Sequence, residues 1–173
     1  MILYKAIGGL LILGMGGYVS LSISRYERRR LRVLDAYISL IYYIKGQIDC
    51  YALPVGDILA RADPALIAAC LGLERDDRDT AELLACFVGT DSPLPRLVNE
   101  SRLYLEPESE RLLRTFSGEL GHTFRTEQVA RCDYYISALT EERRKLFAAL
   151  PARVRVSSVL CICCALGATV LLW

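Results

Sequence analysis

The sequence predicts an all-α protein anchored in a membrane: an antiparallel helical hairpin or bundle with a small helical lobe, flanked by two transmembrane helices. Three observations predict it. Each end of the 173-residue chain holds eighteen consecutive uncharged residues, AIGGLLILGMGGYVSLSI from Ala6 to Ile23 and VSSVLCICCALGATVLLW from Val156 to Trp173. Every charged residue except Lys5 lies between Arg25 and Arg155. Within that interval apolar residues recur at three- and four-residue spacing, with no sustained strand-like alternation. With 53% apolar residues, intrinsic disorder is excluded.

The elements follow in chain order, as a first span over residues 1–24, a helical domain over 25–155 and a second span over 156–173. As a helix, each eighteen-residue stretch covers roughly 27 Å, close to the ~30 Å hydrocarbon core. Backbone groups in lipid must bond within their own segment, which requires helices there. Tyr18 and Trp173 suit the interfacial depth that amphipathic rings favour. Ser22-Ile23-Ser24 is a passable cleavage site, so a signal peptide is the rival reading of the first stretch; its length and the arginines that follow at once favour a retained span.

Leu31, Leu34, Ile38, Ile41 and Ile48, with Tyr37, Ile44 and Tyr51 beside them, predict one apolar face on a long helix reaching about Cys50. Shorter helices should follow, begun by Pro54 and by Asp63-Pro64, ended by Gly72, and separated at Thr90-Asp91-Ser92-Pro93. Glu106-Pro107-Glu108 reads as a helix start with acids in the first turn, and Gly121 as the residue that ends that helix. A last helix should begin near Arg125 and return to the membrane on a stripe of Val129, Cys132, Ile136, Leu139, Leu146 and Leu150, interrupted only by Arg143. Pro151 predicts a stop or a kink. Two long helices that leave spans into one compartment must be antiparallel, and packing their stripes together buries both.

The charges give the orientation. Residues 25–32 carry Arg25, Arg28, Arg29, Arg30 and Arg32 against Glu27, and residues 143–155 carry Arg143, Arg144, Lys145, Arg153 and Arg155 with no acid. Residues 33–142 hold ten basic and nineteen acidic residues. Both basic clusters flank the spans on the side of the middle, so the positive-inside rule puts the middle in the cytoplasm and both termini across the membrane. The ten basic residues are candidates for contact with anionic lipid headgroups. The acidic middle argues against nucleic acid as a partner and suits docking onto a basic protein surface.

Signs of catalysis are scarce. The chain has no P-loop, G-x-G-x-x-G, G-x-S-x-G or H-E-x-x-H pattern, and its single histidine, His122, follows Gly121 at a helix end. No cofactor, metal or catalytic residue is expected. Cys161 and Cys164 form a C-x-x-C pair, but a thiolate is strongly disfavoured in hydrocarbon, and cysteine there reads better as a small packing residue. Ser157, Cys161, Ala165 and Thr169 repeat every four residues, and Gly16, Ser20 and Ser24 offer a matching stripe, which suits close helix packing and is compatible with a homo-oligomer. Cys50, Cys70, Cys86 and Cys132 read as core thiols of a reducing compartment. Glu74, Asp76, Asp77, Asp79 and Glu82 lack the order of a calcium loop.

The chain resembles the stage III sporulation protein AB family of endospore-forming bacteria. The resemblance is carried by Arg28–Arg61, RRRLRVLDAYISLIYYIKGQIDCYALPVGDILAR, with its arginines, spaced Leu and Ile, and Pro-led short helix. It is carried also by Phe116–Leu139, with Leu120-Gly121 and then Gln128. The sequence departs from the family where Tyr43-Ile44-Lys45-Gly46-Gln47 replaces a Glu-rich stretch, and around Gly121 to Thr126, where a second Leu-Gly and an Asp are blurred. The resemblance implies a non-enzymatic platform subunit in the outer forespore membrane, similar to the F platform protein of type II secretion systems. It would help build the channel between mother cell and forespore, with the mother-cell cytosolic ATPase and other channel subunits as partners. Glu106, Glu108, Glu110 and Glu119 are the candidate partner-binding residues on the acidic lobe. The alternative is a membrane-bound regulatory adaptor with a cytosolic helical lobe.

Overall fold

A computed structural model of the chain describes residues 2–51, 58, 59, 61–73, 93–121 and 124–172, with the side chains of 2–13, 93, 165 and 168–172 outside that description. Among the described residues every regular element is a helix: α1 (Ile2–Tyr51), α2 (Pro64–Cys70), α3 (Pro93–Glu100), a 3-10 turn (Ser101–Tyr104), α4 (Pro107–Glu119) and α5 (Arg125–Leu172). The expected acidic run at 74–82, the Pro54 start, His122 and Cys86 lie outside the described residues. The chain forms two compact units, one of Arg29–Lys145 and one of Met1–Arg28 with Leu146–Trp173.

In the larger unit the local signals set the helix ends. Asp63 caps α2, its carboxylate accepting the Ala65 N–H at 2.9 Å, and Pro64 stands at the first position, where its missing N–H is harmless. The Gly72 N–H bonds the Ala69 carbonyl and the Leu73 N–H bonds the Ala68 carbonyl, a paired closure that needs φ > 0 at Gly72, which is +71°. A Cβ at Gly72 would also meet the Tyr104 ring and Val33 at 3.1 Å. α4 starts at Pro107 with Glu108 and Glu110 in its first turn, where the helix dipole favours carboxylates. Its chain turns at Gly121, φ +92°.

The core of this unit is made by Val33, Leu34, Tyr37, Leu40, Ile41, Ile44 and Ile48 of α1 and by Cys132, Tyr135, Ile136 and Leu139 of α5. Ala68 and Cys70 of α2, Leu94, Leu97 and Val98 of α3, and Leu113 and Phe116 of α4 add to it, as do Ile58, Leu71 and Leu105 between helices. The buried face of α1 keeps Leu34, Tyr37, Ile41, Ile44 and Ile48 of the expected one and is wider than it. Val33 and Leu40 are buried, whereas Leu31 and Ile38 are half-buried and Tyr51 is exposed. The physical reason is that the lobe helices bury a wider arc of α1 than a single partner helix would. Asp35–Arg143, Lys45–Asp133 (2.6 Å) and Asp49–Arg125 (3.4 Å) bridge α1 to α5 in antiparallel register. Arg143, read in the sequence as a break in the stripe, is instead an exposed bridge to Asp35.

In the smaller unit, Gly16, Ser20, Ile23, Ser24 and Glu27 are the shielded positions of α1 among the described side chains, and Leu146, Ala149, Leu150, Val154, Ser157, Ser158 and Cys161 those of α5. Around them Met15, Tyr18, Leu21, Val156, Val159 and Leu160 are exposed. α5 runs through Pro151 without stopping. The proline removes the N–H that would have bonded the Phe147 carbonyl, but Pro151 itself is exposed and the neighbouring turns hold the helix.

Candidate membrane and partner interfaces

The basic residues divide into those already engaged and those that are not. Arg29 lies among the lobe residues: its Nε donates to the Gly72 carbonyl that closes α2, and its guanidinium stacks 4.9 Å from the centre of the Tyr104 ring. Arg30 pairs with Glu106 at 2.9 Å and is only 13% exposed. Arg144 reaches back to Glu141 at 2.7 Å and Lys145 to Glu142 at 2.6 Å, each one turn away on α5. These partners hold the Arg144 and Lys145 protons more firmly, the hydrogen bond being the larger cause, and the Arg144 bond in turn holds Glu141 below the usual carboxylate range. Arg153 stands 4.0 Å from Glu27. Arg32 is exposed and makes an interaction of its own, whereas Arg25, Arg28 and Arg155 are exposed without an ion pair among the described residues.

The four candidate partner-binding carboxylates all hold cations of their own chain. Glu106 takes Arg30, and Glu110 takes Arg114 at 2.8 Å and Arg102 at 3.7 Å. Glu108 takes Arg111 at 2.6 Å, a bond that lowers its pKa. Glu119 accepts from the Tyr135 hydroxyl at 3.0 Å and pairs with Arg131 at 3.0 Å. Glu106 and Glu110 are largely shielded, whereas Glu108 and Glu119 keep about half their surface open. Those two stand eleven residues apart on α4, roughly 16 Å along its axis, so the structure does not gather the four into one patch.

Glu119 belongs to a small cleft with a mainly apolar surface. It is lined by Phe116, Glu119, Leu120, Gln128, Arg131 and Tyr135, with room for about one water molecule. Phe116 and Tyr135 meet edge to face at 5.2 Å there, and burial together with the Glu119 carboxylate pushes the Tyr135 phenol up to about 12. Burial likewise pushes Cys132 up to about 11 and Cys70 higher still, so both thiols stay protonated and poorly nucleophilic. Cys70 and Cys132 are buried, whereas Cys50, read as a core thiol, is exposed because it falls on the outer side of the last turn of α1. Among the described residues no group of three or more His, Cys, Asp or Glu side chains is placed to hold a metal ion.

Of the first small-residue stripe, Ser20 meets Ser158, which neighbours the second stripe but is not one of its expected members, their hydroxyl oxygens 2.7 Å apart. Ser157 and Cys161 are half-buried beside that contact, as are Gly16 and Ser24 on α1. The side chains of Ala165 and Thr169 lie outside the described residues. From Arg125 to Cys164, α5 is long and apolar enough to cross a membrane, and its most apolar window is not buried against protein. The stretch at residues 6–23 falls in part on undescribed side chains.

Two features were not singled out in the sequence. One is the buried hydroxyl pair of Tyr37 and Ser101. The other is a set of exposed apolar side chains on the larger unit, namely Tyr42 of α1, Leu103 of the 3-10 turn, Phe124 just before α5 and Tyr134 of α5. Their spacing gives no signal, because each lies outside the periodic faces. Comparison with family models, with curated proteins and with solved structures finds no match.

Proposed function

We propose that the chain is a non-enzymatic membrane platform subunit of a secretion-like sporulation channel, anchored by two spans with its helical domain in the cytoplasm and both termini across the membrane. The observation that carries the reading is that α5 continues from a packed helical domain into a segment able to cross a membrane. Two further features support it. Between Met15 and Leu21 and between Val156 and Leu166 the segments expose large apolar side chains, among them Met15, Tyr18, Leu21, Val156, Val159 and Leu160, as lipid-facing stretches do. The two basic clusters lie where the positive-inside rule puts a cytoplasmic juncture.

In this role the domain holds its shape through its own salt bridges and offers an acidic surface to a basic partner. The partner is the mother-cell cytosolic ATPase, alongside other channel subunits. Glu108 and Glu119, the most open of the four carboxylates, are the ones able to exchange Arg111 or Arg131 for a partner's cation, since exposed ion pairs differ by only about 0–1 kcal/mol.

The test is a pull-down of the detergent-solubilised full chain with the ATPase and channel subunits. Binding at low ionic strength that weakens at 0.5 M salt is expected, because exposed charge pairs are screened there. Absence of binding to every channel component at low salt overturns the platform reading. Capture of a regulator in place of the ATPase turns it into the adaptor.

A further inference from the structure

The ten juncture cations do not contribute equally to a charged surface. Arg143, Arg144 and Lys145 are matched one for one by Asp35, Glu141 and Glu142. Arg29 and Arg30 are held by Gly72, Tyr104 and Glu106 within the lobe unit, and Arg153 by Glu27. Arg32 makes an interaction of its own. Arg25, Arg28 and Arg155 are exposed and have no ion pair among the described residues.

All three belong to the smaller unit, whose register is set by Ser20 against Ser158 and Glu27 against Arg153. In that antiparallel register Arg25 stands level with Arg155 to within about one turn, and Arg28 is one turn further along α1. At about 100° per residue, with Ser20 facing Ser158, Arg28 and Arg155 turn to the same flank of the helix pair. Arg25 stands beside Arg28 on the outer side of α1. Arg153 turns to the opposite flank, where Glu27 neutralises it. The apolar exposed surface of Tyr18, Leu21, Val156 and Val159 begins directly beyond the three.

We propose that Arg25, Arg28 and Arg155 form a one-sided binding site for the headgroups of anionic phospholipids, and that this site gives the chain its preference among lipids. The inference rests on the membrane-anchored reading above. A guanidinium presents a planar fork of donors that matches two phosphate oxygens, and it is weakly hydrated, so it suits the boundary between headgroup and hydrocarbon. Three of them on one flank bind a lipid phosphate more firmly than a ring of compensated pairs does. The annulus around the helix pair is therefore asymmetric, with anionic lipid on the Arg28–Arg155 flank.

The experiment uses the full chain in phosphatidylcholine bilayers, with spin-labelled phosphatidylglycerol or phosphatidylcholine as the probe and electron spin resonance to measure the motionally restricted fraction of each. The wild type is expected to prefer phosphatidylglycerol by about threefold or more at low salt. The variant R25Q/R28Q/R155Q is expected to fall to near parity, whereas R144Q/K145Q retains the preference. Helix content by circular dichroism checks that both variants are folded. Parity in the wild type, an unchanged preference in the triple variant, or loss of preference in R144Q/K145Q overturns the site. Alkaline carbonate extraction of native membranes separates the two failures. A chain released by carbonate overturns the anchored reading and the site with it, whereas a retained chain without lipid preference overturns the site alone.

Discussion

Ser101 shows how one side chain ties the lobe to α1. Its hydroxyl proton is directed at the Leu97 carbonyl (3.0 Å), so its oxygen is left to accept the Tyr37 phenol at 2.6 Å. Both groups are buried, and burial raises the Tyr37 pKa well above the ordinary range, which keeps the phenol a donor. The two ends of this bond are not equivalent. Tyr37→Phe removes a donor and leaves Ser101 satisfied by Leu97, at a cost of about 1 kcal/mol. Ser101→Ala strands a buried phenolic hydroxyl and is expected to cost about 1–3 kcal/mol, with the double variant close to Tyr37→Phe alone. Denaturant unfolding of the detergent-solubilised chain measures all three. Equal losses in the two single variants would show that Tyr37 finds another acceptor.

At the scale of elements, the buried face of α5, where Tyr135 meets α4 and Cys132 lies near Lys45 of α1, carries a pH dependence whose sign follows from its groups. Tyr135 is raised to about 12 from an ordinary value of 10.0, and Cys132 to about 11 from 9.0. Both are neutral when protonated, so the folded state holds their protons more tightly than the unfolded chain does. The stability they contribute is complete below about pH 9 and is lost as pH rises through 9 to 12. Thermal unfolding followed between pH 8 and 11 should show a falling midpoint, and the pair of substitutions Tyr135→Phe and Cys132→Ala should flatten that fall. A fall of the same steepness in the variant would place its origin in other groups. The same elements show what a sequence discloses. The starts of α2, α4 and α5 at Pro64, Pro107 and Arg125, and the turns at Gly72 and Gly121, were legible because capping is a matter of a few neighbouring residues. The widening of the buried face of α1 to Val33 and Leu40 was not, since it depends on helices that arrive from far along the chain. Nor were the partners of Arg29 and Arg30, which sit in a basic run that reads as lipid-facing until Gly72 and Glu106 are seen beside it. Pro151 was legible as an interruption but not as one that an exposed helix tolerates.

At the scale of the whole molecule, the two uncharged ends and the two basic clusters make one prediction about sidedness. In a cysteine-free background, Ile2→Cys should react with a membrane-impermeant maleimide in intact cells, whereas Cys50 restored alone should react only after permeabilisation. Cys50 is a fair reporter because it is exposed at the end of α1. Labelling of Cys50 in intact cells would place the helical domain outside and remove any direct contact with a cytosolic ATPase. The bridges between the long helices have a consequence for how such a chain can change over generations. Asp35 and Lys45 are ten residues apart on α1, and their partners Arg143 and Asp133 are ten apart on α5. Deleting one residue between Asp35 and Lys45 shifts everything beyond it by about 1.5 Å and turns it by about 100°, so both bridges and the buried face cannot survive together. An equal deletion on α5 between Asp133 and Arg143 restores the match of lengths but turns the α5 face as well. A change of length in either stretch is therefore expected to cost the domain its packing, whereas substitution at fixed length leaves the register of the two helices intact.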